Sequence, residues 1–347
     1  MKIKLIGETE TIIENPSGKH NYFGWPTAAR LKNGKIAVAC SGYRLAHICP
    51  FGKMIMSVSD DEGKTFSSPQ IIIDTPLDDR DGGLCPFGKS GLIATSFNNT
   101  RDFQRKNADA RFKDYILSYL DMITDSEEEK YLGSEYRVSF DNGVTFGDIK
   151  ISPVTSPHGP TELSDGSVLW VGCDFNNING VKAYKLVGES FEKVGEIYSE
   201  DIAGQFCEPH AIQLKNRRIV CQIRVQSDKL FTLYQSVSDD LGATWSRPKQ
   251  ILSDRGGAPA HLLELKNGLL ISTFGYRTLP FGVKTIISSD GGESWSEPYD
   301  IYVNHASHDL GYPSSVELGD GSILTVFYAR KSAELPAEIM MQKWKIE

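Results

Sequence analysis

The side chains of this chain that could do chemistry sit in short recurring segments punctuated by Gly and Pro. One set reads HNYFGWP (20–26), DDRDGGLCP (78–86), TSPHGP (155–160), GQFCEPH (204–210), DRGGAPAH (254–261) and SHDLGYP (307–313). A second reads YRLAHICPFG (43–52), CDFNNING (173–180), RVQSDK (224–229), GYRTLPFG (275–282) and YARKSAELP (328–336). All seven histidines (His20, His47, His158, His210, His261, His305, His308) fall in or beside these segments, with Arg44, Arg80, Arg224 and Arg277. Imidazoles exchange protons near neutral pH and guanidinium groups are multiple hydrogen-bond donors, so the set outlines a central polar pocket. The six cysteines show no C-x-x-C or other metal spacing. They are expected as buried free thiols, with no metal site and no cofactor.

The elements that must position these segments are visible as repeats. SDDEGKTF (59–66), SFDNGVTF (139–146), SDDLGATW (238–245) and SSDGGESW (288–295) all fit Ser-x-Asp-x-Gly-x-Thr/Ser-aromatic. A degenerate copy lies near GESFEKV (188–194), which sets a unit of about fifty residues. A second signal, apolar run, turn, apolar run, occurs six times: at 28–40, 83–97, 160–172, 210–223, 261–274 and 314–327. The first unit parses as TAARL, the turn KNG, KIAVACSG, a loop, KMIMSVS, the octapeptide turn and QIII, which is four short antiparallel strands.

Six such sheets stack radially as an all-β, six-bladed propeller. Residues 1–347 are read as one domain of this kind, interrupted by a helical insertion at about 100–131. The last unit is one strand short, so the N-terminal IKLIGETETII is assigned as the outer strand that closes the ring. In each octapeptide the Asp bonds back to local N–H groups, the Gly takes positive φ and the aromatic packs beneath the turn. If the KNG-type turns and the octapeptides occupy one rim, the chemically rich segments share the other.

The net charge of −8 excludes a general nucleic-acid binder, which needs clustered Lys and Arg. No run reaches the length of a membrane span, and the N-terminus turns polar too early for a signal peptide, so a soluble, cytoplasmic protein is expected.

The octapeptides and their setting resemble the sialidase superfamily, whose Asp-box repeats decorate six-bladed propellers. The resemblance covers essentially the whole chain and implies an oligosaccharide or glycoside as substrate. Tyr312 stands eight residues before Asp320 of a DG turn, the place of the family's nucleophilic tyrosine. Glu208 matches the glutamate that activates it, Arg224 one arginine of the carboxylate-binding triad, and Arg44 a further active-site arginine. An anionic sugar repels a carboxylate nucleophile, so a neutral phenol deprotonated by a glutamate is the better attacking group.

The chain also departs from the family. Gly24-Trp25-Pro26 replaces the Arg-Ile-Pro motif of blade one, and Arg277 occupies the right loop for the blade-five arginine without aligning cleanly. The acid/base aspartate falls on Cys49, leaving His47 as the nearest titratable group. Asp79, Arg80, Asp81 and His158 become candidates for acid/base or substrate contacts, with His210 and Trp25 beside them.

Within 100–131, Phe112, Tyr115, Ile116, Tyr119, Leu120 and Ile123 recur at helical spacing, which predicts a helix serving as a lid or as a contact between copies of the chain. Three readings stay open at this point. The first is an exo-acting, sialidase-like glycoside hydrolase with Tyr312 and Glu208 as the nucleophile pair and His47 or Asp81 as acid/base. The second is a His/Asp-dependent glycosidase or lyase on uronic-acid glycans, and the third a non-catalytic carbohydrate-binding propeller.

Overall fold

A computed structural model describes the chain apart from residues 175, 176, 189, 199, 229, 253–256 and 304 and the side chains of 177–179 and 258. Parts of the segments 173–180, 188–194, 224–229 and 254–261 therefore lie outside the described residues. The strands form six four-stranded antiparallel sheets. Blade one holds Tyr22–Arg30, Ile36–Arg44, Lys53–Ser59 and Gln70–Ile73. The innermost strands of the next five blades are Arg80–Phe87, Thr161–Glu162, Gln205–Gln213, Gly257–Glu264 and Gly311–Glu317. In blade six the outer strand is Ile3–Ile13, paired antiparallel with Ala337–Ile346, so the two ends of the chain close the ring.

Short strands with one apolar face cannot hold a sheet alone, and each blade buries that face against its neighbour. Blades six and one share Phe23, Val38, Val326 and Ile339, whereas blades three and four share Leu169, Val181, Ile219 and Ile223. Blades five and six are joined by Ile271, Ile287, Phe327 and Trp344. The core is thus a ring of interfaces between neighbouring blades.

The octapeptide turns work as their sequence implies. Asp61 Oδ1 accepts from the Lys64 and Thr65 N–H groups, Thr65 Oγ1 donates to Asp61 Oδ2, and the Gly63 N–H donates to Ser59 Oγ. Gly63 takes φ +69°, which a side chain resists. Glu62 of this turn bonds Arg30 and the Gly319 N–H, so octapeptide and strand-one turns share one rim. Tyr312 is the second residue of the strand that ends at Glu317, whose carbonyl accepts from Arg30 on that rim. The candidate residues of this strand therefore lie at the opposite end.

The insertion consists of three short helices rather than the single helix its spacing predicted: α1 (Arg101–Asn107), α2 (Lys113–Leu120) and α3 (Asp125–Tyr131). The helical spacing marks α2 and its flanks, which bury Ile116, Leu120 and Ile123 against Leu77. Breaks arise because Ala108 leaves α1 extended and because Thr124, with Glu127, builds a capping box that restarts the chain as α3. No helix among the described residues is long and apolar enough to cross a membrane.

Candidate active site

Five of the six innermost strands carry the same irregularity where they reach the open rim. Register shifts fall between Gly24 and Thr27, Arg80 and Gly83, Cys207 and His210, Gly257 and Ala260, and Gly311 and Ser314. At four of these bulges a side-chain-bearing residue holds positive φ: Trp25 (56°), Asp81 (58°), Glu208 (51°) and Tyr312 (47°). In blade three Gly159 takes the corresponding place with φ +79°. Such conformations cost roughly 1–3 kcal/mol each away from glycine and concentrate where function over-determines them. The sequence signal is a dipeptide, Trp-Pro, Asp-Gly, Gly-Pro, Glu-Pro, Ala-Pro and Tyr-Pro at the six strands. Proline supplies no ladder N–H and bars the preceding residue from the ordinary helical region.

The bulges of blades four and six bring a phenol to a carboxylate. Tyr312 Oη donates to Glu208 Oε1 at 2.6 Å. Arg224, on the second strand of blade four, bonds the other oxygen of Glu208 and stands 3.5 Å from Tyr312 Oη. Burial, then the Glu208 charge, pushes the Tyr312 phenol well above its usual range, so it rests protonated. Arg277 lies 5.9 Å above the Tyr312 ring and donates to the Leu310 carbonyl at 3.0 Å. No carboxylate among the described residues pairs with it.

Blades one and two supply the other wall. The Arg80 guanidinium lies 4.0 Å over the Trp25 ring and donates to the His47 carbonyl at 2.8 Å. The same indole meets the His47 ring at 5.0 Å and the Tyr312 ring at 6.4 Å, edge to face in both cases. Asp81 is buried and its carboxyl is pushed up to about 7, chiefly by desolvation, with Arg80 opposing and Glu208 adding to the shift. A cavity of about 400 Å³ lies between Asp81 and Glu208, walled by Phe97, Phe103, Pro157 and Cys207.

Four sequence candidates stand elsewhere. Arg44 is fully buried: its guanidinium is spent on Asp78 at 2.5 Å, Ser41 Oγ at 2.8 Å and the His47 carbonyl at 3.0 Å, so it lies behind the wall it was expected to line. Asp79 is equally sealed, accepting from Thr75 N and Thr75 Oγ1 at 2.7 Å each. His158 and His210 face a second, axial cavity of about 440 Å³ that opens among Lys32, Lys266 and Glu317, near the octapeptide rim. Their rings pack against each other and His261 at 4.5–5.3 Å, and burial lowers the pKa of all three, that of His210 to about 3. Small axial positions at the propeller waist, rather than the rim, are where these histidines fit.

Conversely, the structure brings Asp309 into the site, which its sequence context did not single out. Asp309 accepts from Tyr22 Oη at 2.9 Å, Tyr328 Oη at 3.1 Å and Arg330 Nη2 at 2.9 Å, and its Oδ1 lies 2.9 Å from His47 Nδ1. Only the closure of blade six onto blade one makes these neighbours. The insertion contributes Gln104, whose Nε2 donates to Asp78 Oδ2 at 2.8 Å, and Phe103 on the cavity wall.

Residues 134–325 match the family model described as a BNR repeat-like domain. No curated protein matches the chain. Among solved structures it is similar to a protein of unknown function from Dyadobacter fermentans, with a TM-score of 0.81 and 18% identity over 99% of both chains. It is similar also to the NanB sialidase of Streptococcus pneumoniae, with a TM-score of 0.72 and 13% identity over 97% of this chain and 70% of that one. The GH93 α-L-arabinofuranosidase of Fusarium graminearum gives 0.66 and 14% over 97% and 98%. At these identities the likeness is one of fold.

Proposed function

Because the chain belongs to the family of BNR repeat-like domains and folds as a propeller of glycoside-hydrolase type, we propose that it is a retaining exo-glycosidase acting on a terminal acidic sugar. The observation that carries this reading is the 2.6 Å hydrogen bond from Tyr312 Oη to Glu208 Oε1, made by two residues that both hold strained backbone conformations. A protonated phenol is a poor nucleophile. It becomes a good one as its proton passes to Glu208 while the Oη–C1 bond forms and the glycosidic C1–O bond breaks. Arg224, bonded to Glu208 and 3.5 Å from Oη, stabilises the negative charge wherever it resides along that path.

Arg80, Arg224 and Arg277 around the aromatic group of Trp25 and Tyr312 support an anionic ligand, since Arg277 has no carboxylate partner among the described residues and Arg80 stands 3.5 Å from its own, Asp78. The leaving oxygen needs a proton, and His47 and Asp81 are the titratable groups placed to act. A panel of chromogenic glycosides ending in sialic, uronic and neutral sugars tests the reading. Aryl alcohol released from an acidic member with retention at C1 supports it. Release from neutral sugars alone, an unsaturated uronic product, or no turnover overturns it.

A further inference from the structure

We propose that His47 and Asp309 form the acid/base dyad of this reaction, with His47 Nε2 delivering the proton to the glycosidic oxygen and Asp309 as the positioning residue behind it. The proposal rests on the retaining reading above and assigns a role that neither the family pattern nor the sequence context of Asp309 supplies.

Geometry separates the two ring nitrogens. Nδ1 lies 2.9 Å from Asp309 Oδ1 and 3.1 Å from Tyr22 Oη, and the carboxylate is the obligatory acceptor of the pair. Asp309 therefore selects the Nδ1–H tautomer, and Nε2, which meets Arg80 Nη2 at the long distance of 3.5 Å, is the nitrogen left to carry or release a proton. The imidazole side chain is 43% exposed and the carboxylate 14%, so the ring faces solvent with its anchor behind it. Asp309 is itself overdetermined, with donors from Tyr22, Tyr328 and Arg330 holding it from both sides of the ring closure. Trp25 fixes the remaining face of the imidazole and also touches Tyr312. Asp81, by contrast, is buried and lines the cavity beside Glu208, the partner of the nucleophile.

The step balances without a further reagent. Imidazolium Nε2–H gives its proton to the departing oxygen as Tyr312 Oη bonds C1, and the alcohol leaves. The neutral ring then takes a proton from a water whose oxygen attacks C1, while Tyr312 recovers its proton from Glu208.

The groups facing His47 are Asp309 on Nδ1, Arg80 3.5 Å from Nε2, Arg44 through the His47 carbonyl, and Tyr22. Burial lowers the imidazole pKa, Asp309 raises it, and Arg80 and Arg44 lower it. Removing the carboxylate leaves the two cations unopposed, so the protonated form is lost at lower pH.

The experiment compares wild type, His47→Ala, Asp81→Asn and Asp309→Asn on two acidic glycosides, one with an alkyl and one with a dinitrophenyl leaving group. His47→Ala is expected to lose at least 100-fold on the alkyl glycoside and less than tenfold in the first step on the dinitrophenyl one, with added azide restoring turnover as a glycosyl azide. Asp309→Asn is expected to move the alkaline limb of kcat/KM to lower pH with KM changed less than threefold. Should that variant not fold, nuclear magnetic resonance titration of His47 in Asp309→Glu replaces it, and an unchanged ring pKa together with an unchanged pH limb counts against the dyad. Equal losses of His47→Ala on both glycosides, or azide rescue in Asp81→Asn instead, overturn the dyad and leave the retaining reading standing. Wild type inert on both glycosides removes the reading itself.

Discussion

The guanidinium of Arg80 lies 4.0 Å over the ring of Trp25, so a cation from blade two covers the residue at the bulge of blade one. A planar cation on an indole face is worth roughly 0.5–2 kcal/mol and cannot be reproduced by an ammonium group of different shape. Arg80→Lys is therefore expected to raise KM for an acidic glycoside about tenfold, which corresponds to ~1.4 kcal/mol, with kcat changed much less. Steady-state kinetics checks this, and a kcat loss with unchanged KM would place Arg80 in the chemistry instead.

Asp81 predicts a pH-dependent gain. Its folded pKa, about 7, is raised above the ordinary carboxyl value of 3.8, so the stability it contributes is complete below that value and is lost as pH rises through 7. Asp81→Asn removes this loss, and asparagine tolerates the positive φ of 58°. The variant is expected to match wild type in stability at pH 4 and to exceed it at pH 8 by on the order of 2–4 kcal/mol, seen as a higher melting temperature there alone. Melting curves across that range decide it, and equal differences at both ends would mean that Asp81 is not held protonated.

The insertion touches the wall through Gln104. Gln104→Ala deprives the buried Asp78 of its 2.8 Å amide donor while Arg44 stays in place, a change worth about 1–3 kcal/mol. Deleting 103–128 also uncovers Leu77 and Phe51, which pack on Ile116, Leu120 and Tyr119. Both variants are expected to fold with lowered melting temperature, and the deletion also to raise KM because Phe103 leaves the cavity wall. A deletion variant with wild-type melting temperature would contradict this packing.

The octapeptide aspartates set the acid limit. Hydrogen bonds from Thr or Ser hydroxyls and main-chain N–H groups hold Asp141, Asp240 and Asp290 down at about 2 and Asp61 lower still. Depressed carboxyl values add stability that is present above the unfolded pKa and disappears as pH falls through the folded one. Melting temperature should thus decline between about pH 4 and 2, more steeply than in a variant with Asp240→Asn and Asp290→Asn. Parallel slopes would show that these turns do not report the transition.

What could be read in advance follows from the range of the interactions. Turns such as 59–66 are local, with Asp61, Gly63 and Thr65 bonded inside eight residues, and the missing strand of blade six is a matter of counting. Tyr312 and Glu208 carry a local mark as well, the proline after each. Asp309 carries none, because Tyr22 and His47 reach it only through closure of the ring between residues 287 and 262 positions apart in sequence. Arg44 shows the converse: its spacing matched a pattern, but Asp78 and Gln104 from another blade and the insertion enclose it. Loop position groups all the histidines together, whereas His158, His210 and His261 line one axial cavity, His210 and His261 at or just past the bulges of their strands and His158 beside the positive-φ Gly159.

The central claim is that Tyr312 attacks the sugar. Tyr312→Phe keeps the ring that packs on Trp25 and Tyr328 and removes only the oxygen 2.6 Å from Glu208. Turnover of whichever acidic glycoside the wild type cleaves, measured with Tyr312→Phe beside Glu208→Gln and the double variant, tests this most directly. Tyr312→Phe is expected to lower kcat by a factor on the order of 10³ or more with ligand affinity largely kept, and the double variant to be little worse, since the two residues act as one unit. Near-normal turnover by Tyr312→Phe would contradict the account.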